Sequence, residues 1–258
     1  MIDAAEPQTE GFDINLFSEF ANIEPENFWY CARNELLIWA FRKYFSKTRN
    51  FFEIGCGTGF VLQGFRRAFP QLALHGSDLY EEALPFILRR VPEARVFWMD
   101  ARQIPFQDEF DVIGAFDVLE HIEKDEKVLS QMYQAVKPGG GILLTVLQHP
   151  FLWSQFDSLQ FHFRRYRVGE LEEKVRRAGF RIVRRTSFVS LLLPVMILSR
   201  LPYLKKDSQK SIPMGLHRKG PVNSFLNAVM AFERVLIRAG VSFPVGGSFL
   251  LVAVKDPA

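Results

Sequence analysis

Residues 51–59 read Phe51-Phe52-Glu53-Ile54-Gly55-Cys56-Gly57-Thr58-Gly59. An apolar run ends in an acid, and three glycines follow at alternate positions. A helical pattern starts at Phe60 and runs to Phe69. The spacing predicts a strand, a tight turn and a helix. Glycine lacks Cβ, so the backbone can turn sharply and approach a ligand whose polar groups meet free N–H groups. A dinucleotide-binding turn reads G-x-G-x-x-G. Here the third glycine falls one residue earlier, and the bulky Phe60 holds the position where such a turn needs glycine. Taken alone, the run also suits an ordinary tight βα turn, so the neighbouring segments decide.

Those segments keep the same alternation. Residues 72–77 are a second strand candidate ending at Asp78, with Leu79 and Tyr80 behind it. Asp78 lies 23 residues after Gly55, about one βαβ repeat. An acid at that strand end is placed to accept hydrogen bonds from a ribose diol. Residues 95–99 form a third strand candidate ending in Asp100-Ala101-Arg102, and 110–116 a fourth, followed by Asp117-Val118-Leu119-Glu120-His121-Ile122. A helix is expected over 123–136, stopped by Lys137-Pro138-Gly139-Gly140-Gly141, and a fifth strand over 142–146. Upstream, Asn22 to Pro25 opens a first long helix running to about Phe45, with Pro25 in its first turn. Downstream come an aromatic-rich loop (148–166), a helix (168–178) closed by Gly179, a sixth strand (180–186) and a seventh (248–255). Alternating strands and helices imply a parallel sheet with helices on both faces and right-handed crossovers.

The Glu-x-Gly-x-Gly-x-Gly order resembles motif I of the class I S-adenosylmethionine (SAM)-dependent methyltransferases, small-molecule type (methyltransferase-11/12-like). The acid at Asp78, the Asp100-Ala101 pair, the segment after strand four and the Lys-Pro-Gly-Gly turn follow in that family's order. The resemblance covers about Trp29 to Phe188 and the last strand. It implies an α/β, Rossmann-like, seven-stranded, mostly parallel sheet with an antiparallel last strand, here with an N-terminal helix and, where the family usually has a short hairpin, a helical insertion between strands six and seven. The corresponding divisions are a cap (1–50), a SAM-binding core (51–187), an insertion or lid (188–247) and the final strand (248–258). It further implies SAM as cofactor, S-adenosylhomocysteine (SAH) as product and a small acceptor methylated at oxygen; the apolar insertion, the 26 phenylalanines and the basic stretch of this chain favour a lipophilic or anionic one. Carried over residue by residue, Glu53 faces the methionine ammonium, where the family more often has Asp. Gly55, Cys56 and Gly57 give backbone contacts. Asp78 holds the ribose, Leu79 lies against the adenine, and Asp100 and Ala101 read its edge. Phe116 and Asp117 line the methyl-transfer channel. Arg33 shares a helix face with Trp29 and lies near the cofactor's carboxylate, its alternative being a solvated surface position.

A base for the acceptor is sought among His121, His149, His162 and Tyr166, since histidine titrates near neutrality. His121 follows strand four. The run His162-Phe163-Arg164-Arg165-Tyr166 resembles a stretch in related small-molecule methyltransferases, in the region where acceptors bind. His121, His162 and Tyr166 are therefore the expected catalytic residues, with structural anchoring as the alternative for each.

The chain has 258 residues, 48% of them apolar, enough for one sizeable α/β domain with additions. Cys31 and Cys56 lack partners at metal-ligand spacing, so no metal is expected and a reduced, cytoplasmic setting fits. The acidic start, Met1 to Asp13, lacks the order of a signal peptide, and no run of about 20 apolar residues exists. Between Gln160 and Gly220 stand 15 Lys or Arg against 4 Asp or Glu. That excess of 11 in a chain of net charge +3 leaves −8 for the rest. It suggests an anionic partner or a solvated basic face. Residues 188–198 are almost wholly apolar, and Arg200, Lys205, Lys206, Lys210, Arg218 and Lys219 follow. This segment reads as an interfacial anchor giving peripheral contact with an anionic membrane, or as a packed lid, or as both. No base-amine motif or RNA module is present, so no nucleic-acid partner is expected. The competing readings are a methyltransferase acting on nucleic acid or protein, and a non-catalytic SAM-binding scaffold at a membrane surface. The oligomeric state is not legible.

Overall fold

The computed structural model describes residues 16–200 and 220–257. The acidic start and the basic positions Lys205, Lys206, Lys210, Arg218 and Lys219 lie outside the described residues. Seven strands form: β1 (Asn50–Ile54), β2 (Ala73–Asp78), β3 (Arg95–Trp98), β4 (Phe110–Phe116), β5 (Val136–Leu147), β6 (Arg181–Phe188) and β7 (Ser248–Val254). They make one sheet in the order β3-β2-β1-β4-β5-β7-β6. β1 to β5 pair in parallel, and β7 runs antiparallel to both β5 and β6.

The helices are α1 (Leu16–Ile23), α2 (Phe28–Tyr44), α3 (Phe60–Ala68), α4 (Leu84–Arg90), α5 (Asp125–Ala135), α6 (Gln155–Leu159), α7 (Glu170–Arg177), α8 (Leu193–Arg200) and α9 (Pro221–Arg238). One sheet face carries Phe51, Phe116, Leu143 and Leu250 against Leu37 and Phe41 of α2, Phe65 of α3, Ile87 of α4 and Met230 of α9. The other carries Phe52, Ile113, Leu144 and Leu251 against Leu129 and Met132 of α5 and Val175 of α7. The alternation along β1 decides this split. Phe51 stacks on Phe65 at 4.6 Å and Phe52 on Phe110 at 4.5 Å, on opposite faces. Among the described residues no helix is long and apolar enough to cross a membrane.

Two boundaries differ from the sequence expectation. The first long helix does not open at Asn22–Pro25. α1 precedes it, Pro25 lies in the connecting turn, and Asn27 caps α2 by accepting a hydrogen bond from Trp29 N–H at 2.9 Å. The Lys137-Pro-Gly-Gly-Gly run does not stand outside the fifth strand but belongs to it. β5 begins at Val136, and its register against β4 shifts between Phe110 and Val112. That bulge absorbs the extra residues, and Gly139, at φ +81°, donates to Lys255 O across the sheet at 2.9 Å.

Candidate active site

The C-terminal ends of β1, β2, β4 and β5 meet at one rim, and α2 crosses over it. At β1, the turn from Gly55 to Gly59 swings into α3. Gly55 and Gly57 sit at φ +64° and +52°, conformations that cost glycine little. A Cβ on Gly55 would collide with Val118 Cγ2 at 2.6 Å, whereas one on Gly57 would meet nothing within 4 Å. Close packing requires the first glycine, and the second borders open space. The N–H of Cys56 already donates to Ser77 O (2.9 Å) and that of Gly57 to Asp78 Oδ2 (2.8 Å). A ligand contact from this turn therefore comes from its other backbone atoms, a narrower surface than the sequence suggested.

Asp78 ends β2, buried, and also accepts from Tyr80 N–H at 3.1 Å. Burial pushes its carboxyl up to about 6. Leu79, beside it, is half exposed, and Trp98 Nε1–H pins its carbonyl at 2.8 Å. Asp100 is held bidentately by Arg102, and Ala101 is buried behind it. Burial alone would raise the Asp100 carboxyl, but the Arg102 hydrogen bonds hold it low.

The centre of the rim is charged. Arg33, on α2, stacks over Trp29 at 4.6 Å and Tyr30 at 5.5 Å and hydrogen-bonds Asp117 Oδ2. It is buried, so the solvated alternative does not apply. Arg33 Nε, Asp117 Oδ1 and Glu53 Oε2 are buried without partners. Burial raises the Glu53 carboxyl well above its usual range, with Arg33 pulling the other way. Beyond Asp117 the row continues. Glu120 Oε1 accepts Leu147 N–H at 3.3 Å, while its Oε2, Thr145 Oγ1 and His149 Nε2 are buried and unpaired. Burial and the adjacent Asp117 raise the Glu120 carboxyl well above normal. Asp117 (φ +58°) and His149 (φ +66°) stand in the left-handed region without being glycine. Such strain concentrates where a fold holds side chains for function.

The three expected catalytic residues are placed differently. His121 and His162 meet edge to face at 4.4 Å. Burial and the His162 ring lower His121 to about 3, which leaves it a weak base. His162 Nδ1 lies 3.1 Å from Asp157, which also holds Arg165 at 2.7 Å and Ser154. Tyr166 is a correction. Its hydroxyl donates to Asp125 at 2.5 Å inside the core on the α5 and α7 side, and Lys174 holds the same carboxylate. Burial and Asp125 push its phenol further up, away from any proton-accepting role. A groove of about 770 Å³ runs along this stretch, lined by Trp153, Phe163, Arg164, Arg165, Arg167 and Val168 among others.

Sequence reasoning missed the clasp made by Glu24, Thr58 and Arg90. Glu24 Oε2 accepts from Thr58 Oγ1 at 2.5 Å and Arg90 Nη1 at 2.7 Å, tying the α1–α2 turn to the glycine turn. Three residues far apart in sequence and without periodicity give no signal beforehand. Glu120 stands in the segment after the fourth strand and Thr145 inside the fifth, and neither position by itself points to a site. Only His149 carried a usable signal, a histidine just past a strand end.

A family model described as a methyltransferase domain matches residues 29–185. Phosphoethanolamine N-methyltransferase 2 of Caenorhabditis elegans is 34% identical over 110 residues, 40% of this chain and 24% of that protein. A malonyl-[acyl-carrier protein] O-methyltransferase of Priestia megaterium is 25% identical over 104 residues, 40% of this chain and 38% of that protein. A probable S-adenosylmethionine-dependent methyltransferase of Mycolicibacterium smegmatis is 24% identical over 164 residues, 61% of each. The chain thus spans about a quarter to three fifths of the length of these relatives. Among solved structures, Haemonchus contortus phosphoethanolamine N-methyltransferase 2 in complex with SAM superposes with a TM-score of 0.57 at 20% identity, over 84% of this chain and 51% of that one. A putative Haloferax volcanii methyltransferase, solved with a methyltransferase activator, gives 0.59 at 15%, over 93% and 97%. At such identities the structural likeness is one of fold.

Proposed function

The chain belongs to the class I SAM-dependent methyltransferase family, and we propose that it methylates an oxygen of a small acceptor held beyond Asp117. The observation that carries this reading is the row of buried, unpaired polar atoms along the strand ends, from Glu53 through Arg33 and Asp117 to Glu120, Thr145 and His149. A fold leaves few such atoms unless a ligand supplies their partners.

The residues present fit SAM. Gly57 borders open space, Glu53 Oε2 has an acceptor site for an ammonium, and Arg33 Nε has a donor for a carboxylate. Each Asp78 oxygen keeps a lone pair beyond its backbone bond, suited to the ribose hydroxyls. Leu79, Asp100 and Ala101 would border the adenine, and Phe116 and Asp117 the transferred group. Once bound, the cofactor supplies an electrophilic methyl group, and the protein supplies orientation and electrostatics. Positioning of the two reactants is worth about 7–11 kcal/mol in the best-oriented cases.

Our assignment for the acceptor proton is His149 rather than His121. Its Nε2 is free, and burial, followed by the nearby Arg165, keeps the ring neutral. Glu120 and Thr145 would hold the acceptor's polar end. The relatives described above differ in acceptor, phosphoethanolamine for one and an acyl-carrier-bound malonyl group for another, so the acceptor is assigned from this site alone. The test is isotope-labelled SAM incubated with a small-molecule extract, the product read by the shift of its new methyl group. A methoxy signal that disappears in His149→Gln is expected. An N-methyl or C-methyl product overturns the oxygen assignment, and binding of NADH in place of SAM overturns the whole reading.

A further inference from the structure

The groove of about 770 Å³ adjoins the row of unpaired polar atoms at three points. Pro150, one of its lining residues, follows His149 directly. Phe163, another, donates its N–H to Glu120 O at 2.7 Å. Arg165, a third, reaches Gln148 O at 3.5 Å, one residue before His149. An apolar groove that ends in a few convergent polar groups is the usual form of a small-molecule site.

The inner end has no cation to spare. Arg33 is bound to Asp117, and Arg165 gives its Nε–H to Asp157 at 2.7 Å. Asp117 Oδ1, Glu120 Oε2, Thr145 Oγ1 and His149 Nε2 stay unpaired. All four can accept a hydrogen bond, so they suit a group that donates one. A carboxylate or phosphate there would meet Asp117 and Glu120 with no positive partner, a costly burial. An ammonium would find little charge to answer, because Asp117 already has Arg33 and burial favours the neutral form of Glu120. The outer part is apolar. Phe163 is exposed by 56%, and Trp153 and Val168 are exposed beside it. Trp153 Nε1–H donates to Ser158 Oγ at 3.1 Å, which fixes the indole. Of the other arginines there, Arg164 pairs with Asp125 at 3.0 Å, and Glu170 and Glu173 of the same groove balance Arg167. The groove therefore holds no surplus of positive charge.

Resting on the oxygen-methylation reading above, we propose that this groove is the outer half of the acceptor site and that the acceptor is an uncharged hydroxyl compound with an apolar body. The body lies against Trp153 and Phe163, and the hydroxyl reaches the row at Glu120, Thr145 and His149. There the hydroxyl oxygen gives an electron pair to the transferred methyl carbon. The sulfur of SAM keeps the pair of the bond that breaks, and the hydroxyl proton passes to His149 Nε2. Acids, phosphates and amines are thereby excluded as the reacting head.

The test is calorimetric titration of the full chain, saturated with SAH, with para-hexylphenol, phenol and para-hexylbenzoate. We expect para-hexylphenol to bind at least about tenfold tighter than phenol, because its hexyl chain leaves water. It should also bind at least about tenfold tighter than para-hexylbenzoate, whose ionised head finds no cation. Phe163→Ala should remove most of the preference for the hexyl chain, and Phe163→Leu should keep most of it. The side chain is exposed, so both variants should retain the wild-type melting temperature and SAH affinity. Equal binding of phenol and para-hexylphenol overturns the proposal, as does binding of the benzoate as tight as that of the phenol, or no binding of any probe. So does a hexyl preference that survives intact in Phe163→Ala. Each of these results with SAH bound leaves the methyltransferase reading standing, whereas failure of SAH to bind overturns that reading itself. A methyl ester or a phosphate-bearing methyl ether from the labelled extract would keep oxygen methylation and overturn the uncharged acceptor.

Discussion

Replacing Asp78 by asparagine separates the cost of burying this carboxylate from its use. Burial raises the folded carboxyl to about 6 from its ordinary 3.8, against the lowering effect of the Tyr80, Gly57 and Leu79 N–H groups. The folded protein therefore holds this proton more tightly than the unfolded chain. The stability that Asp78 contributes is fully present below pH 3.8 and is lost as pH rises through about 6. At about 1.4 kcal/mol per pH unit, the whole swing is about 3 kcal/mol, and about 2–3 of it falls between about pH 4 and pH 8. Asparagine does not titrate. Its one oxygen can accept on one side only, so its NH₂ must face the Gly57 N–H or the Tyr80 N–H on the other, a penalty of about 1–3 kcal/mol that does not vary with pH. Urea unfolding across that range should show the variant gaining on the wild type by about 2–3 kcal/mol as pH rises, whatever the fixed offset. SAM calorimetry supplies the second reading. Ribose hydroxyls favour the ionised carboxylate, so wild-type affinity should fall about tenfold between about pH 8 and pH 5, where only about a tenth of Asp78 is ionised. The variant should bind more weakly and without that slope. A stability difference that stays flat with pH refutes the burial argument. A pH-independent wild-type affinity removes Asp78 from the ribose site.

Arg33→Met should leave Asp117 and Glu53 buried without their cation and cost about 3–5 kcal/mol in urea unfolding, with SAM binding weakened; a loss under about 1 kcal/mol would show that the cluster is solvated after all. Tyr166→Phe removes one hydrogen bond to a carboxylate that keeps Lys174 and Arg164. It should cost about 1–2 kcal/mol in thermal unfolding and leave SAM affinity and turnover unchanged, whereas a hundredfold loss of turnover would reinstate the phenol as a base.

The strands were legible as short apolar runs that end in acids or turn residues, the form taken by parallel strands buried on both faces. β4 appears over Phe110–Phe116 as the alternation predicts, and the glycine turn at 55–59 follows from spacing alone. Asp78 and Arg33 were legible for a related reason, since each sits at a fixed offset from a recognisable element. What stayed hidden depends on contacts between distant segments. Tyr166 looks like any loop tyrosine until Asp125, 41 residues away, is found beneath its hydroxyl. A 3.6-residue period puts Phe225, Leu226, Val229, Phe232 and Leu236 of α9 on one stripe. The packing instead buries Leu226, Met230 and Glu233 and turns Phe225 and Phe232 outward. An amphipathic period gives a direction without saying which side meets the protein.

The place of β7 has a consequence for the order of assembly. β6 has β7 as its sheet neighbour and makes no pairing with β5. Until residues 248–254 arrive, β6 has no ladder to join, and the β5 edge stays open. The parallel half, β1 to β5, can condense first from crossovers of local reach. The antiparallel half must then close a loop of more than fifty residues, an entropic delay that slows folding. During that interval β5 offers an unpaired, apolar edge, the kind of surface on which nascent chains aggregate. The helices between β6 and β7 would complete their packing only after this step, so the last strand to pair also sets when the outer surface of the molecule is finished.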